Sequence, residues 1–388
     1  MQHLGYDEKW LREKGAHHTA REISGQPTLW HHTFHLIESQ IELLKKFLDS
    51  VLPETRRIIL TGAGTSGYIG YSLYPVFRRK FGKHVLVIPT TELVTHPANY
   101  FFPDDNLLLV SFARSGNSPE STAAVQLAER LSGYVSHLVI TCDAEGQLAC
   151  YSSPFPKFNL VLPPDSNDQS LAMTGSYTSM LLAGYLIAHI NELQGLSSSV
   201  KQAGDYASHL LSNYSAVVQQ LASFQFSRVV FLGSGPLLGS AMESHLKVQE
   251  LTDGQIVCKF DSFLGFRHGP KAVIDEQTLV FFLLSNDPYV HQYERDLILS
   301  IYKGKPPLAT IGVFENSFAG LTFDYAIQLN KEHTSLLPED MLPLVAVIPA
   351  QMLGFYKSLD LGLNPDNPSV NGAISRVVEN VHIYPYVL

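Results

Sequence analysis

Residues 57–67 read Arg57-Ile58-Ile59-Leu60-Thr61-Gly62-Ala63-Gly64-Thr65-Ser66-Gly67. An apolar run of strand length, then closely spaced glycines, then a helical pattern reaching about Phe81, predicts a strand, a tight loop and a helix. Such a unit presents the free N–H groups of a helix first turn to an anion. Outward from it, apolar runs at about 84–89, 107–112, 136–142 and 157–162 predict four more strands, with helical patterns between several of them. Alternation of this kind implies a parallel sheet covered on both faces.

The layout then begins again. Arg228-Val229-Val230-Phe231-Leu232-Gly233-Ser234-Gly235-Pro236 repeats the pattern from Arg57 at an offset of 171 residues (228 − 57), and strands at about 255–258, 279–285, 308–313 and 324–329 follow. The expected fold class is α/β: two domains of one type, each a flavodoxin-like three-layer sandwich with helices on both faces of a parallel sheet. The expected organisation is a helical lead-in over 1–53, a first domain over 54–195, a connecting helix over 196–224 and a second domain over 225–388.

Composition bounds the function. At 388 residues, 45% hydrophobic and 16% charged, the chain is long enough for two ordinary globular domains. A formal charge of −9 without a Lys/Arg-rich run argues against a nucleic-acid partner. Cys142, Cys150 and Cys258 are odd in number and lack C-x-x-C spacing, so neither a disulfide framework nor a thiolate metal site is expected. The polar N-terminus has no apolar leader core, and no stretch reads as a membrane span, which makes the cytoplasm the expected location and a membrane partner unexpected. His31, His32 and His35 suggest a metal cluster, but a histidine-rich helical face usually lacks a partner carboxylate and is simply solvated.

Gly62, Gly64 and Gly67 satisfy G-x-G-x-x-G, the dinucleotide fingerprint. Against a nicotinamide cofactor stands the loop after the third strand, where Arg114, Ser115, Asn117 and Ser118 precede a helix beginning near Pro119. With Gly64, Thr65 and Ser66 at the first helix N-terminus, those groups fit a compact terminal phosphate better than an extended pyrophosphate. The competing interpretation is that Ser115 and Ser118 merely cap the helix. In the second copy Pro236-Leu237 and Leu284-Ser285-Asn286-Asp287-Pro288 stand at the matching places.

A second constellation lies in the second copy. Glu243, Lys247 and Glu250 fall at i, i+4 and i+7 on one helical face, and Phe266-Arg267-His268-Gly269-Pro270 follows in a loop. A carboxylate and an imidazole are the side chains most often used to move protons near neutral pH. The competing interpretation is a surface ion pair followed by an ordinary loop histidine.

The stretches TGAGTSG, SFARSGNSPES and MESHLKVQELTDG followed by FRHGP resemble the sugar isomerase (SIS) domain family in its tandem form, from about residue 50 onward. LAMTGSYTSM, DSFLGFRHGPKAVID and NPDNPSVNGAISRVV narrow the resemblance to members acting on a hexosamine or ketose 6-phosphate. The resemblance implies that Ser66, Ser115 and Ser118 bind phosphate, with Arg114 beside them. It implies that Glu250 shuttles a proton between C1 and C2, supported by Glu243 and Lys247. It further implies that His268 assists ring opening from a neighbouring subunit of a homodimer or larger homo-oligomer, and that residues 171–174, ending at Thr174, line the sugar. No cofactor and no metal are called for. The implied activity is isomerisation with ammonia release, most closely from galactosamine 6-phosphate to tagatose 6-phosphate. Isomerisation without nitrogen chemistry and a sugar-phosphate-sensing role are the alternatives. Glutamine-dependent synthesis is not expected, because no N-terminal cysteine nucleophile is present; nor is a tail imine, because the last lysine is Lys357.

Overall fold

The structure, a computed structural model, describes residues 2–316, 320–332, 335–378 and 381–387. Ten strands build two five-stranded sheets. In the first, β1 (Arg57–Thr61), β2 (His84–Val87), β3 (Asn106–Ala113), β4 (Tyr134–Thr141) and β5 (Lys157–Val161) pair in the order β2-β1-β3-β4-β5, all parallel. In the second, β6 (Arg228–Leu232), β7 (Val257–Asp261), β8 (Thr278–Leu283), β9 (Ala309–Phe314) and β10 (Tyr325–Gln328) pair as β7-β6-β8-β9-β10, again all parallel. Both sheets therefore carry the same strand order, as the repeat predicts. In this order winding reverses between the first and third strands, so a crevice opens beyond the carboxyl ends of β1 and β3, and of β6 and β8.

The chain divides into two compact units. One, around the first sheet, comprises Leu29–Asp168, Gly175–Ser197 and Ile374–Leu388; the other, around the second sheet, comprises Met1–Thr28, Gln169–Thr174 and Ser198–Ala373. The predicted boundaries follow chain order, whereas the compact units share out the lead-in and assign the end of the chain to the first sheet.

Within the first unit, β1 and β3 are buried at every residue after the first, as strands covered on both faces must be. Helix α1 (Thr65–Phe81) follows β1, and α2 (Pro119–Leu131) follows β3. Helix α3 (Gly175–Ala188) is buried at every residue, so it has no polar face to show. It packs on α1, and a Cβ on Gly184 would lie 2.3 Å from Leu73 Cδ1, so glycine is what lets the two helices close. The sequence pattern predicts this helix over 170–193; the chain instead enters it at Gly175 and leaves it through the 3-10 turn Ile190–Leu196.

Within the second unit, α4 (Leu237–Leu251) follows β6, α5 (Pro288–Tyr302) follows β8, and α6 (Ile348–Asp360) packs against α4. The expected helix over 196–224 is two helices, Ser197–Asn213 and Ser215–Ala222. The stretch Glu339–Asp360 is, contrary to expectation, long and apolar enough to cross a membrane, yet 94% of its most apolar window is buried inside the protein. It is accounted for as core. Lys357 on this stretch is also buried; its Nζ donates to the carbonyls of Ala222 and Phe224 and to Asp360 Oδ2 at 2.6 Å, which leaves it in a structural role. The three cysteines are unpaired. His32 and His35 do meet carboxylates, Asp165 at 2.9 Å and Glu38 at 3.3 Å, but each meets its own, as exposed pairs.

Candidate active site

The first sheet's crevice is built by close backbone packing. A Cβ on Gly62 would lie 2.5 Å from the Ser66 carbonyl carbon, and one on Gly67 2.9 Å from the Gly62 oxygen, so only glycine lets the loop double back onto α1. Gly64 has φ 54°, in the left-handed region that favours glycine. The fold thereby places Thr65 and Ser66, both buried, on the first turn of a 17-residue helix whose N–H dipoles point out of its start.

The second loop leaves β3 at Ala113. Arg114 is buried and its guanidinium donates to the Arg376 carbonyl, while Ser115, Asn117 and Ser118 are half-buried. Gly116 turns the chain at φ 65°, and a Cβ on Gly146 would lie 2.1 Å from the Ser115 oxygen, so the loop is clasped from behind. Asn117 Oδ1 accepts from the Gln147 N–H at 3.0 Å, and Ser115 Oγ accepts from the Asn117 N–H at 3.3 Å. Ser118 occupies the N-cap of α2, yet its side chain makes no capping bond. A purely structural cap is therefore not the use made of that hydroxyl.

The matching crevice of the second sheet is filled by its own acids. Ser285 Oγ donates to Glu339 and the Ser285 N–H to Glu294 at 3.2 Å; Asn286 Nδ2 donates to Glu315 at 2.6 Å. Donors that could face an exogenous anion are committed to internal carboxylates. Burial pushes the Glu294 carboxyl up to about 8, helped by the neighbouring Glu339 charge.

Helix α4 carries the proton-transfer candidates, and a surface ion pair is not what the structure shows there. The Glu243 and Lys247 side chains are 0% and 1% exposed, whereas Glu250 keeps 23%. Lys247 Nζ lies 3.4 Å from Glu243 Oε1 and 2.5 Å from Glu250 Oε2. The i, i+4, i+7 spacing does align the three groups, and α6 covers that helix deeply enough to remove two of them from water. Two charges this deep persist only when paired. Lys247 thus fixes one oxygen of Glu250 and leaves the carboxylate partly open. His245, half-buried two residues earlier and bonded through Nδ1 to the Met242 carbonyl, escaped the sequence reasoning. Burial lowers its pKa, against the opposing pull of the Met242 carbonyl and the Glu250 charge.

The stretch Asp261 to Pro270 leaves the end of β7 through a short helix and brings Arg267 and His268 to the surface. Asp261 Oδ1 accepts from the Ser262 N–H at 2.9 Å, and Ser262 Oγ caps the short helix Phe263–Phe266 at Gly265 N. Phe263 and Phe266 bury into the core of this unit, which leaves Arg267 and His268 exposed before Gly269, at φ 111°, and Pro270 turn the chain back. Thr174 is fully buried, in a segment held by Glu22, which accepts from the Gln169 N–H at 2.5 Å, and by the Leu171 N–H bond to the Asp366 carbonyl at 2.9 Å.

A profile of the SIS domain matches residues 52–215. The D-galactosamine-6-phosphate deaminase AgaS of Shewanella sp. (strain ANA-3) is 40% identical over 382 residues, covering 97% of this chain and 94% of that protein. A relative of the same name from Escherichia coli is 37% identical over 376 residues, covering 95% and 96%. Among solved structures, a Clostridium novyi NT protein given the provisional name tagatose-6-phosphate ketose/aldose isomerase superposes with a TM-score of 0.95 at 40% identity, covering all of both chains. The Escherichia coli tagatose-6-phosphate ketose/aldose isomerase gives 0.85 at 34% identity, covering 95% and 97%. The chain belongs to the SIS-domain family, and carries that fold twice. Its relatives at about 40% identity are named as enzymes, and this chain is an enzyme of the same family.

Proposed function

We propose that the protein is a deaminating isomerase converting D-galactosamine 6-phosphate to tagatose 6-phosphate and ammonia. The observation that carries the chemistry is Glu250, a partly open carboxylate with one oxygen held at 2.5 Å by the buried Lys247 ammonium. The names of relatives at about 40% identity over nearly the whole chain support the substrate.

The phosphate is assigned to Ser66, Ser115 and Ser118 with Arg114, Gly64, Thr65 and Asn117, where a helix start and half-buried hydroxyls favour a dianion. His268 assists opening of the pyranose to the aldehyde, and its exposure suits a residue supplied to a partner subunit's site. Glu250 removes the C2 proton to give the enolamine and returns a proton to C1. The resulting C2 ketimine is hydrolysed by water, releasing ammonia and leaving the ketose. Anchoring the remote phosphate lets one carboxylate serve both carbons. Glu243 holds Lys247, and Thr174 supports the sugar-lining segment. Lys357, committed to carbonyls and Asp360, is not disposed to form an imine.

A second reading, isomerisation of a nitrogen-free ketose or aldose phosphate by the same residues, is favoured by the names of the superposing structures. An ammonia assay separates the two. Release from galactosamine 6-phosphate, with little from glucosamine 6-phosphate, is expected; no release from either, with interconversion of tagatose 6-phosphate and an aldose phosphate, would replace the first reading by the second.

A further inference from the structure

Residues Ile374–Leu388 group with the first sheet's unit, and Tyr386 is packed against its hydrophobic core. Between the unit boundary and that anchor, Arg376 makes a set of bonds that a loose tail would not need. Its Nε donates to the Asp168 carbonyl at 2.9 Å, and one terminal nitrogen donates to the same carbonyl at 2.6 Å and to Asn167 Oδ1 at 2.8 Å. Its own carbonyl accepts from the buried Arg114 guanidinium. Asp168 in turn accepts, through its carboxylate, from the backbone N–H and hydroxyl of Ser176 at 2.9 and 2.5 Å, closing the start of α3.

One tail residue therefore ties the loop after β3 to the segment after β5, both at carboxyl ends of parallel strands. A guanidinium donates in five fixed directions, so committing one of them to a backbone carbonyl sets the plane in which the others point. We infer that Arg376 is a positioning residue for phosphate recognition: its side chain fixes the tail on residues 167–168, and its carbonyl aims the Arg114 guanidinium at the anion. This rests on the assignment of residues 114–118 to the phosphate.

The consequence is specific to the phosphate end of the substrate. In Arg376→Ala the KM for galactosamine 6-phosphate and the dissociation constant for inorganic phosphate, measured by calorimetry, should both rise about tenfold or more, the worth of ordering one charge-assisted bond. The kcat should change far less. Arg376→Lys keeps the charge but cannot fork onto Asn167 and Asp168, so it should resemble Ala. Because Arg376 acts through Arg114, its substitution should add little in an Arg114→Gln background. Equal phosphate binding by wild type and Arg376→Ala, a fall in kcat alone, full rescue by Arg376→Lys, or additive effects in the double variant would each overturn the inference. Wild-type protein that binds neither inorganic phosphate nor galactosamine 6-phosphate would instead sink the assignment of the loop, and the inference with it.

Discussion

Lys247 Nζ lies 2.5 Å from Glu250 Oε2 while its own side chain is 1% exposed, and its other carboxylate neighbour, Glu243, is 0% exposed. The ammonium is thus shared between a carboxylate sealed in the protein and one that reaches solvent. The first is the lysine's counter-charge; the second is the proposed base.

This arrangement makes Lys247 more costly to remove alone than with its partner. Lys247→Met removes the ammonium that lies 3.4 Å from the buried Glu243 carboxylate and should destabilise the protein by about 3–5 kcal/mol. Adding Glu243→Gln should recover much of that loss, while ammonia release stays low in both variants because Glu250 is no longer held. Urea titration with a parallel ammonia assay tests both points. A single variant as stable as wild type would show that Lys247 does not balance Glu243.

Gly62 and Gly233 occupy equivalent places in the two copies, 171 residues apart (233 − 62), and both lack room for a methyl group. A Cβ on Gly233 would lie 2.4 Å from the Leu237 oxygen. Ala at either position should therefore lower the melting temperature. Only Gly62→Ala should also weaken phosphate, by about tenfold or more, because the second crevice is occupied by Glu294, Glu315 and Glu339. Calorimetric titration of both variants with inorganic phosphate decides it, and equal weakening by the two substitutions would contradict a site confined to the first sheet.

The repeat that sets the two sheets was legible because β-strands covered on both faces are written as continuous apolar runs, and such runs are local. Strand ends moved by up to three residues, most at β7, where Val257–Asp261 mixes polar and apolar residues along an edge strand. The helical face shared by Glu243, Lys247 and Glu250 was equally local. Its burial was not, since α6, more than 90 residues downstream (348 − 251 = 97), supplies the cover. Arg376 and Arg114 are 262 residues apart, and no spacing rule joins an arginine near the chain end to a loop after the third strand. The acids of the second crevice were missed for the same reason, with Ser285 and Glu339 separated by 54 residues.

That acid cluster gives a pH dependence of definite sign. Glu294 ionises near 4.5 when unfolded, and burial raises it to about 8 in the fold, with the Glu339 charge adding and the Ser285 N–H opposing. The folded protein therefore holds a proton that the unfolded chain gives up. The stabilisation is complete below the unfolded value and is lost as pH rises toward 8, with a limiting slope of about 1.4 kcal/mol per pH unit. Glu294→Gln, which stays neutral, should flatten the decline in melting temperature between pH 5 and 8. Glu315, also raised by burial, keeps a dependence of the same sign. Parallel pH profiles of wild type and Glu294→Gln would contradict a protonated Glu294.

His268 sits at the crest of a loop whose phenylalanines are buried and whose Arg-His tip is exposed, so the ring is displayed outward rather than packed into its own unit. If that ring completes a partner subunit's site, Glu250→Ala and His268→Ala are each inactive but complementary. In a homodimer with random exchange, half of the molecules are hybrids with one intact site of two, so activity should return to about a quarter of the wild-type value. Differently tagged subunits, with exchange verified by native mass spectrometry, make the measurement clean. Proven hybrids without recovered ammonia release would mean that Glu250 and His268 act within a single chain.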